Sequence, residues 1–323
     1  MLIPNKNIHI LCEDPGTCVL SGGGNAATLL SNLISLSQVE TFFAALGVPP
    51  PPEGYFPDSS NLLVEGVTFS DAAAPEEGNK SIINMHGRGL NMVLDKCAFT
   101  NNNHDQPPES LLFAMYLAPP LEGEQLRMSI TFRNSVVEDN TFTYGIVLTV
   151  YGNVCGCGVK PPLPEGVDFE VTFDNSVITN NVIEGWGEGG YVKTEENDPY
   201  AYDRPGLFTV FSTRINLVSS SVVTNALGRA SAVFNLEHFS ELAVSEDSII
   251  ENINISETIE PSCDGALTWV ERSTAGECIP LANLVPTPTP TSPLTPAPVT
   301  ASPVTPAPVR TGNGRKSGKK GSK

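Results

Sequence analysis

The first candidates for chemistry are three charged residues, each two positions before a short segment of alternating apolar residues: Asp95, Arg133 and Asp174. Strand alternation predicts that their side chains point outward, with Arg133 between the two carboxylates. Carboxylates placed around an arginine on a flat face can act on a polysaccharide, which makes these residues candidate catalytic groups. The other interpretation, which we favour, is an ion-pair ladder on a solvated face. The whole column reads Glu65, Asp95, Arg133, Asp174, Ser219 and Glu246.

A second candidate site is an aromatic and acidic stretch at residues 186–202. Aromatic faces stack on sugar rings and on cations, so the stretch is a candidate for glycan binding. We favour the alternative that it is a long insertion whose aromatic side chains cover the flank of the fold. The aromatic residues are Trp186, Tyr191, Tyr200 and Tyr202.

The seven cysteines suggest disulfides rather than a metal centre. Cys12 and Cys18 flank a tight Glu-Asp-Pro-Gly turn, and we expect them to be bonded. The same is expected of Cys263 and Cys278 near the end of the fold. Cys97 is predicted to be a small core residue. Cys155 and Cys157 lie in a Gly/Pro-rich loop without further ligands nearby, so no metal site is predicted.

Two N-glycosylation sequons are present, at Asn79 and at Asn254. Sequons of this kind also arise by chance, so they carry weight only together with other features. Paired cysteines and a Thr/Pro-rich stalk point in the same direction. We therefore expect a location outside the cell or in the cell wall.

The elements that position these residues follow from a repeat, since seven short segments share one pattern. Each runs from a small residue through a large apolar one to a polar residue and then a turn residue. Asn, Asp and Gly, which tolerate left-handed backbone, occupy all seven turn positions, so a stack of turns is predicted. Stacked coils form parallel ladders and one continuous core, which a single coil cannot do. The segments start at Cys18, Val67, Cys97, Ser135, Ser176, Ser221 and Ser248.

This pattern, over residues 7–254, resembles the right-handed parallel β-helix of the pectin-lyase-like superfamily. The resemblance implies an all-β fold of about seven coils with loop insertions. The alternative is an antiparallel β-sandwich in which the alternation is a coincidence. The segments that carry the resemblance are LVEGVTFSD, VLDKCAFTNN, TFRNSVVEDN, TFDNSVITNN, LVSSSVVTN and SEDSIIEN.

Residues 25–46 depart from the strand pattern and predict a helical insertion in the first coil. Asn25 can cap such a helix, and Gly47 can end it. One face of the helix would carry Leu29, Leu33 and Leu36.

The resemblance also implies what an active site would use. In lyases of the superfamily a basic residue removes a proton next to a uronate, and carboxylates hold Ca²⁺. In its hydrolases paired carboxylates act as acid and base. Asp95, Arg133 and Asp174 would take these roles here. However, the Gly-His-Gly and Asp-Asp motifs of the polygalacturonase kind are missing from this chain. We therefore favour a protein that is not an enzyme and expect no cofactor, with Ca²⁺ only if it is lyase-like.

Composition divides the chain into three parts: a β-helix domain over 1–284, a Pro/Thr-rich linker over 285–309, and a basic disordered tail over 310–323. The tail carries two KxxK units that resemble the Lys/Ser-rich segments of silaffin-type peptides. It is predicted to bind an anionic polymer or silica. The cations after residue 284 are Arg310, Arg315, Lys316, Lys319, Lys320 and Lys323.

The charge balance excludes some partners. The 323 residues include 18 Lys and Arg against 36 Asp and Glu, a net charge of −18, which argues against nucleic acid. No stretch approaches the ~20 apolar residues of a membrane span, so none is expected. A monomer is expected. The first residues have no signal-peptide pattern, so either the protein is not secreted, or the chain is a mature form or an incomplete gene product. Because the chain leads directly into a coil, a truncated product without an independent role stays an alternative function.

Taken together, the sequence favours a non-catalytic module, outside the cell or in its wall, that binds polysaccharide or scaffolds the wall. The alternative function is a pectate-lyase-like or glycoside hydrolase enzyme that acts on acidic polysaccharide. Substitution of Arg133 by alanine separates the two, because an enzyme would lose turnover and a ladder only a little stability.

Overall fold

The computed structural model describes fifteen stretches of the chain. All of them belong to the first of two compact units, which covers residues 1–289. They form β-strands and connections, and none of the described residues is helical. The described residues are 8–24, 26, 28–32, 60–73, 81–87, 90–103, 108–116, 126–151, 167–185, 206–211, 213–230, 232–237, 240–258, 267–272 and 275–280.

The strands form four sheets. The first contains β1 (Ile8–Leu11), β4 (Ser60–Glu65), β7 (Leu90–Asp95), β10 (Leu126–Arg133), β14 (Val167–Asp174), β18 (Arg214–Val218) and β22 (Glu241–Val244). The second contains β2 (Cys18–Ser21), β5 (Val67–Ser70), β8 (Ala98–Thr100), β11 (Val136–Glu138), β15 (Val177–Thr179), β19 (Ser221–Val223) and β23 (Ile249–Glu251). The third contains β12 (Thr141–Phe142), β16 (Val182–Ile183), β20 (Ala226–Ala230) and β24 (Asn254–Thr258). The fourth contains β3 (Leu30–Asn32), β6 (Ile83–Gly87), β9 (Ser110–Tyr116), β13 (Gly145–Tyr151), β17 (Gly206–Phe211), β21 (Ala232–Glu237), β25 (Leu267–Arg272) and β26 (Ala275–Pro280).

The chain passes through the first, second and fourth sheets in this order seven times, and each circuit is called a coil below. The last four coils also place a strand in the third sheet, between those of the second and fourth sheets. Neighbouring strands within a sheet come from successive coils and pair in parallel. The described exception is the antiparallel hairpin of β25 and β26. This path is compatible with a β-solenoid, and parallel pairing contradicts the alternative of an antiparallel sandwich.

The interior is a continuous apolar column. Its centre is a row of six fully buried phenylalanines from five successive coils, with two of them in the fifth coil. Phe69 stacks on Phe99, with ring centroids 4.7 Å apart, and Phe132 stacks on Phe173 at the same distance. Offset stacking of this kind stabilises the packing beyond the area that it buries. The full row is Phe69, Phe99, Phe132, Phe173, Phe208 and Phe234.

The predicted stack of turns is present where the second sheet ends. Six non-glycine residues there have φ between 53° and 57°, the left-handed region in which short polar side chains are tolerated. They are Asp71, Asn101, Asp139, Asn180, Thr224 and Asn252.

One predicted segment start is wrong by one residue. Ser220, not Ser221, lies level with Ser176, because Val177 pairs with Ser221. The buried Ser220 hydroxyl donates to the carbonyl oxygens of Phe173 and Val218, which fixes the register. As a consequence Val218 lies level with Asp174, in the place predicted for Ser219.

The helix predicted for residues 25–46 is also wrong where the structure describes it. Residues 30–32 form β3, which is the strand that the first coil contributes to the fourth sheet. Leu30 pairs with Ile83, and the N–H groups of Leu29 and Leu30 donate to the carbonyl of Ile82. Residues 33–46 lie outside the described residues.

The cysteines are confirmed in part. Cys12 and Cys18 form a disulfide. Cys97 is a free thiol that is 1% exposed, and its burial raises its pKa to about 11. Cys278 lies in β26, whereas Cys263 is outside the described residues.

Candidate functional site

The three candidate catalytic residues lie side by side on the outer face of the first sheet. Arg133 of β10 pairs in register with Asp95 of β7 and with Asp174 of β14. Neighbouring strands lie about 4.8 Å apart, so the backbones at Asp95 and Asp174 are roughly 10 Å from each other. The register therefore gives the order that strand alternation predicts, an arginine between two acids.

The Asp95 carboxylate is occupied by two donors. Arg133 Nη2 lies 2.9 Å from Asp95 Oδ2, and Asn134 Nδ2 donates to Oδ1 at 2.9 Å. The side chain is only 9% exposed. Burial acts to raise the pKa of this carboxyl, but the hydrogen bonds from Arg133 and Asn134 outweigh burial and hold its pKa below the ordinary value. Asp95 is thus ionised and saturated, which does not suit a general acid.

Arg133 is equally unsuited to act as a base. Its hydrogen bond to Asp95 raises its pKa, burial opposes this, and the charges of Asp95 and Asp174 add to the increase. The guanidinium therefore keeps its proton. About half of the side chain, 45%, is exposed, and Nη2 is engaged by Asp95.

The same row continues toward the first coil. Lys96 Nζ lies 2.9 Å from Glu65 Oε1, and His9 Nε2 lies 3.6 Å from Glu65 Oε2. The hydrogen bond and the charge of Lys96 lower the pKa of Glu65. With Asp95 and Arg133, these residues form a row of polar and charged side chains across four successive strands, in which Lys96 and Arg133 each pair with a carboxylate.

A second charged row lies on the other side of the same face. Arg127 Nη2 is 2.8 Å from Glu170 Oε2, and Arg214 Nε is 2.9 Å from Glu241 Oε2. Glu170 Oε1 also accepts hydrogen bonds from Thr172 and Asn216. Both rows are networks of ion pairs whose members are held by neighbours in other coils.

An uncharged strip separates the two rows. At the end of the face near the first coil, this strip deepens into an open groove of about 330 Å³. Leu63 and Val93 are the outward-facing apolar residues of its floor, because they alternate with the buried Leu62, Val64, Met92 and Leu94. The groove is lined by Ile8, His9, Asn61, Leu62, Leu63, Asn91, Val93 and Arg133.

One wall of the groove is a short amide ladder. Asn91 Nδ2 donates to Asn61 Oδ1 at 3.1 Å, and Ser129 Oγ donates to Asn91 Oδ1 at 2.8 Å. These bonds fix the orientation of the side chains before any ligand arrives. The groove thus combines an apolar floor, an amide wall and a charged wall that contains Arg133. This combination suits a ligand that has both polar groups and an apolar surface.

The groove residues were missed by the sequence analysis, although a signal was present. Asn61, Leu63 and Glu65 repeat as Asn91, Val93 and Asp95, with the same spacing of two. Because side chains alternate between the faces of a strand, this spacing places all of them on the outer face.

The structure describes only some of the candidate residues for glycan binding and glycosylation. Trp186, Tyr191, Tyr200, Tyr202 and Asn79 lie outside the described residues. Asn254 is exposed on β24. Among the described residues no cluster of three or more His, Cys, Asp or Glu is arranged to hold a metal ion.

Comparisons with protein-family models, with curated proteins and with solved structures found no match for this chain. In the described part of the chain, no helix has the length and apolar character needed to cross a membrane.

Proposed function

We propose that this chain is a right-handed parallel β-helix of the pectin-lyase-like kind, and that it binds polysaccharide without cleaving it. The parallel sheets and the seven repeated circuits support the fold. The module would work outside the cell or in the cell wall, as the disulfide between Cys12 and Cys18 and the Thr/Pro-rich stalk suggest.

The observation that carries the proposal is the groove on the first sheet. Sugar rings have an apolar face and a rim of hydroxyl groups. Leu63 and Val93 offer a surface for the face, and Asn61, Asn91 and Arg133 offer polar groups for the rim. A row of such positions, repeated from strand to strand, matches a polymer better than a small molecule.

The charged row beside the groove supports binding rather than catalysis. General acid–base chemistry needs a group whose pKa lies near the working pH. The pKa of Asp95 is lowered and that of Arg133 is raised, so both are moved away from neutrality. The row then serves to fix the groove wall and to position Arg133.

One observation favours the second candidate function, a lyase or glycosidase that acts on acidic polysaccharide. Asp174 is half-buried next to Arg133, and its carboxylate has no hydrogen bond or ion pair among the described residues. Asp95 and Asp174 lie on the strands on either side of Arg133, and paired carboxylates serve as acid and base in glycosidases.

The basic tail would supply the second contact of the module. Its cations follow a Pro-rich linker, which favours an extended chain. We propose that residues 310–323 bind an anionic polymer or silica while the β-helix domain holds polysaccharide.

Replacement of Arg133 by alanine distinguishes the two functions. In a binding module the variant should co-sediment less well with insoluble polysaccharide, and neither protein should release product. In an enzyme the wild type should release unsaturated or reducing ends, and the variant should lose this activity. Product that disappears with Arg133→Ala would reject the binding module.

A further inference from the structure

We infer that the groove takes an uncharged polysaccharide chain that runs across the strands of the first sheet. This rests on the proposed function and narrows it, because it names the class of polymer. The inference comes from the direction of the groove, the placement of charges around it, and the chemistry of its floor and walls.

The direction follows from which strands line the groove. His9 lies on β1, Leu63 on β4, Val93 on β7 and Arg133 on β10, four neighbouring strands of one sheet. Four strands span about 14 Å, a length that accommodates a segment of about three sugars in an extended chain. A ligand in the groove therefore crosses the strands at right angles and meets equivalent positions of successive coils.

The charges disfavour an acidic polymer. Around the groove, the carboxylates of Glu65, Asp95 and Asp174 face the cations of Lys96 and Arg133. Both cations are already bonded to carboxylates of the protein. A uronate would have to compete with these ion pairs, and it would approach a protein with a net charge of −18.

An uncharged sugar chain does not have to compete with these ion pairs and is not repelled by the negative charge of the protein. Its hydroxyl groups can accept from the remaining N–H groups of Arg133 and can bond to the amides of the ladder. The apolar faces of its rings can cover Leu63 and Val93, which are half-buried in the structure. The site also needs no Ca²⁺, because no carboxylate of the ligand has to be neutralised.

Calorimetric titration of the full-length protein tests the inference. The ligands are xylohexaose, cellohexaose and mannohexaose on one side and hexagalacturonate on the other, each with EDTA and with Ca²⁺. The wild type should bind at least one uncharged hexasaccharide, with the same affinity in EDTA and in Ca²⁺. Hexagalacturonate should bind about tenfold more weakly or not at all.

Two matched variants locate the site. Val93→Glu places a carboxylate on the groove floor, and Val177→Glu places one on the outer face of the second sheet, where Val177 is 38% exposed. The first variant should bind the uncharged hexasaccharide about tenfold more weakly, and the second should stay within about twofold of the wild type. Asn91→Ala is a smaller change, in the amide wall, and should weaken binding several-fold. This variant tests the groove if Val93→Glu fails to fold.

The outcomes separate this inference from the proposed function. If hexagalacturonate binds more tightly than the uncharged hexasaccharides, and Val93→Glu abolishes this binding, the inference of an uncharged ligand is overturned. The proposal of polysaccharide binding would then still stand. Binding that both groove variants leave unchanged would overturn the site. Binding of no polymer would reject the proposed function and the inference together.

Discussion

At the scale of single residues, the corner after the second sheet depends on a buried asparagine ladder. Asn140 Nδ2 donates to Asn181 Oδ1 at 2.9 Å and to the carbonyl of Phe99 at 2.9 Å. The backbone N–H of Asn140 also donates to Asn181 Oδ1. Each side chain thus satisfies backbone groups of its neighbours where the chain turns and no strand ladder can do so. The ladder consists of Asn102, Asn140, Asn181 and Asn225.

Replacing Asn181 by alanine tests this role. The change leaves the N–H of Asn140 and the carbonyl of Val137 without their partners in a fully buried place. We expect a loss of about 3 kcal/mol in the free energy of unfolding, measured with urea. Asn254→Ala, on an exposed strand position of unglycosylated protein, should change it by less than about 0.5 kcal/mol. Equal effects of the two changes would contradict a structural ladder.

The ion pair of Asp95 and Arg133 predicts a pH dependence. Because the pKa of Asp95 is lowered in the folded protein, its contribution is fully present above the unfolded pKa of about 3.9. It is lost as the pH falls through the folded pKa. Asp95→Asn should therefore cost about 1 kcal/mol at pH 7 and less at pH 3, by urea unfolding. A difference that grows toward pH 3 would contradict the sign of this shift.

At the scale of elements, the disulfide joins the last residue before the first turn to the first residue of β2. It closes a short loop, with a sequence separation of 6 between Cys12 and Cys18. Replacing both cysteines by serine should lower the free energy of unfolding by about 2 kcal/mol. Hydrogen exchange should increase first in β1 and β2. An unchanged unfolding midpoint would mean that the loop is held by packing alone.

The repeat allowed the strands of the first and second sheets to be predicted, but not those of the third and fourth. Alternating apolar residues and the turn residues after them indicate parallel strands and a stack of turns, and both are present. The register of the sixth coil was wrong because three consecutive serines, residues 219–221, offer three equivalent starts. Only the buried hydrogen bonds of Ser220 decide between them.

Other features depend on contacts that the sequence does not encode locally. Residues 25–46 have a helical pattern, but the fourth sheet requires a strand at Leu30, so tertiary pairing overrides local preference. The Asp95, Arg133 and Asp174 column was predictable in position. Its saturation by Asn134, and the adjacent groove, follow from side-chain geometry that only the structure supplies.

At the scale of the whole molecule, charge and groove have separate roles. The first sheet carries two rows of charged side chains that form ion pairs with one another, while the strip between the rows is neutral. The protein as a whole has a net charge of −18 and a basic end. This distribution fits the proposal of a module that holds an uncharged polymer with one part and an anionic surface with another.

The most direct test of the central claim measures binding and turnover in one experiment. The full-length protein is incubated with acidic and neutral polysaccharides, with and without Ca²⁺, and the bound fraction is measured together with unsaturated and new reducing ends. We predict binding to at least one polysaccharide and no product with any of them. Product that accumulates with time, and is lost in Arg133→Ala, would contradict a non-catalytic module.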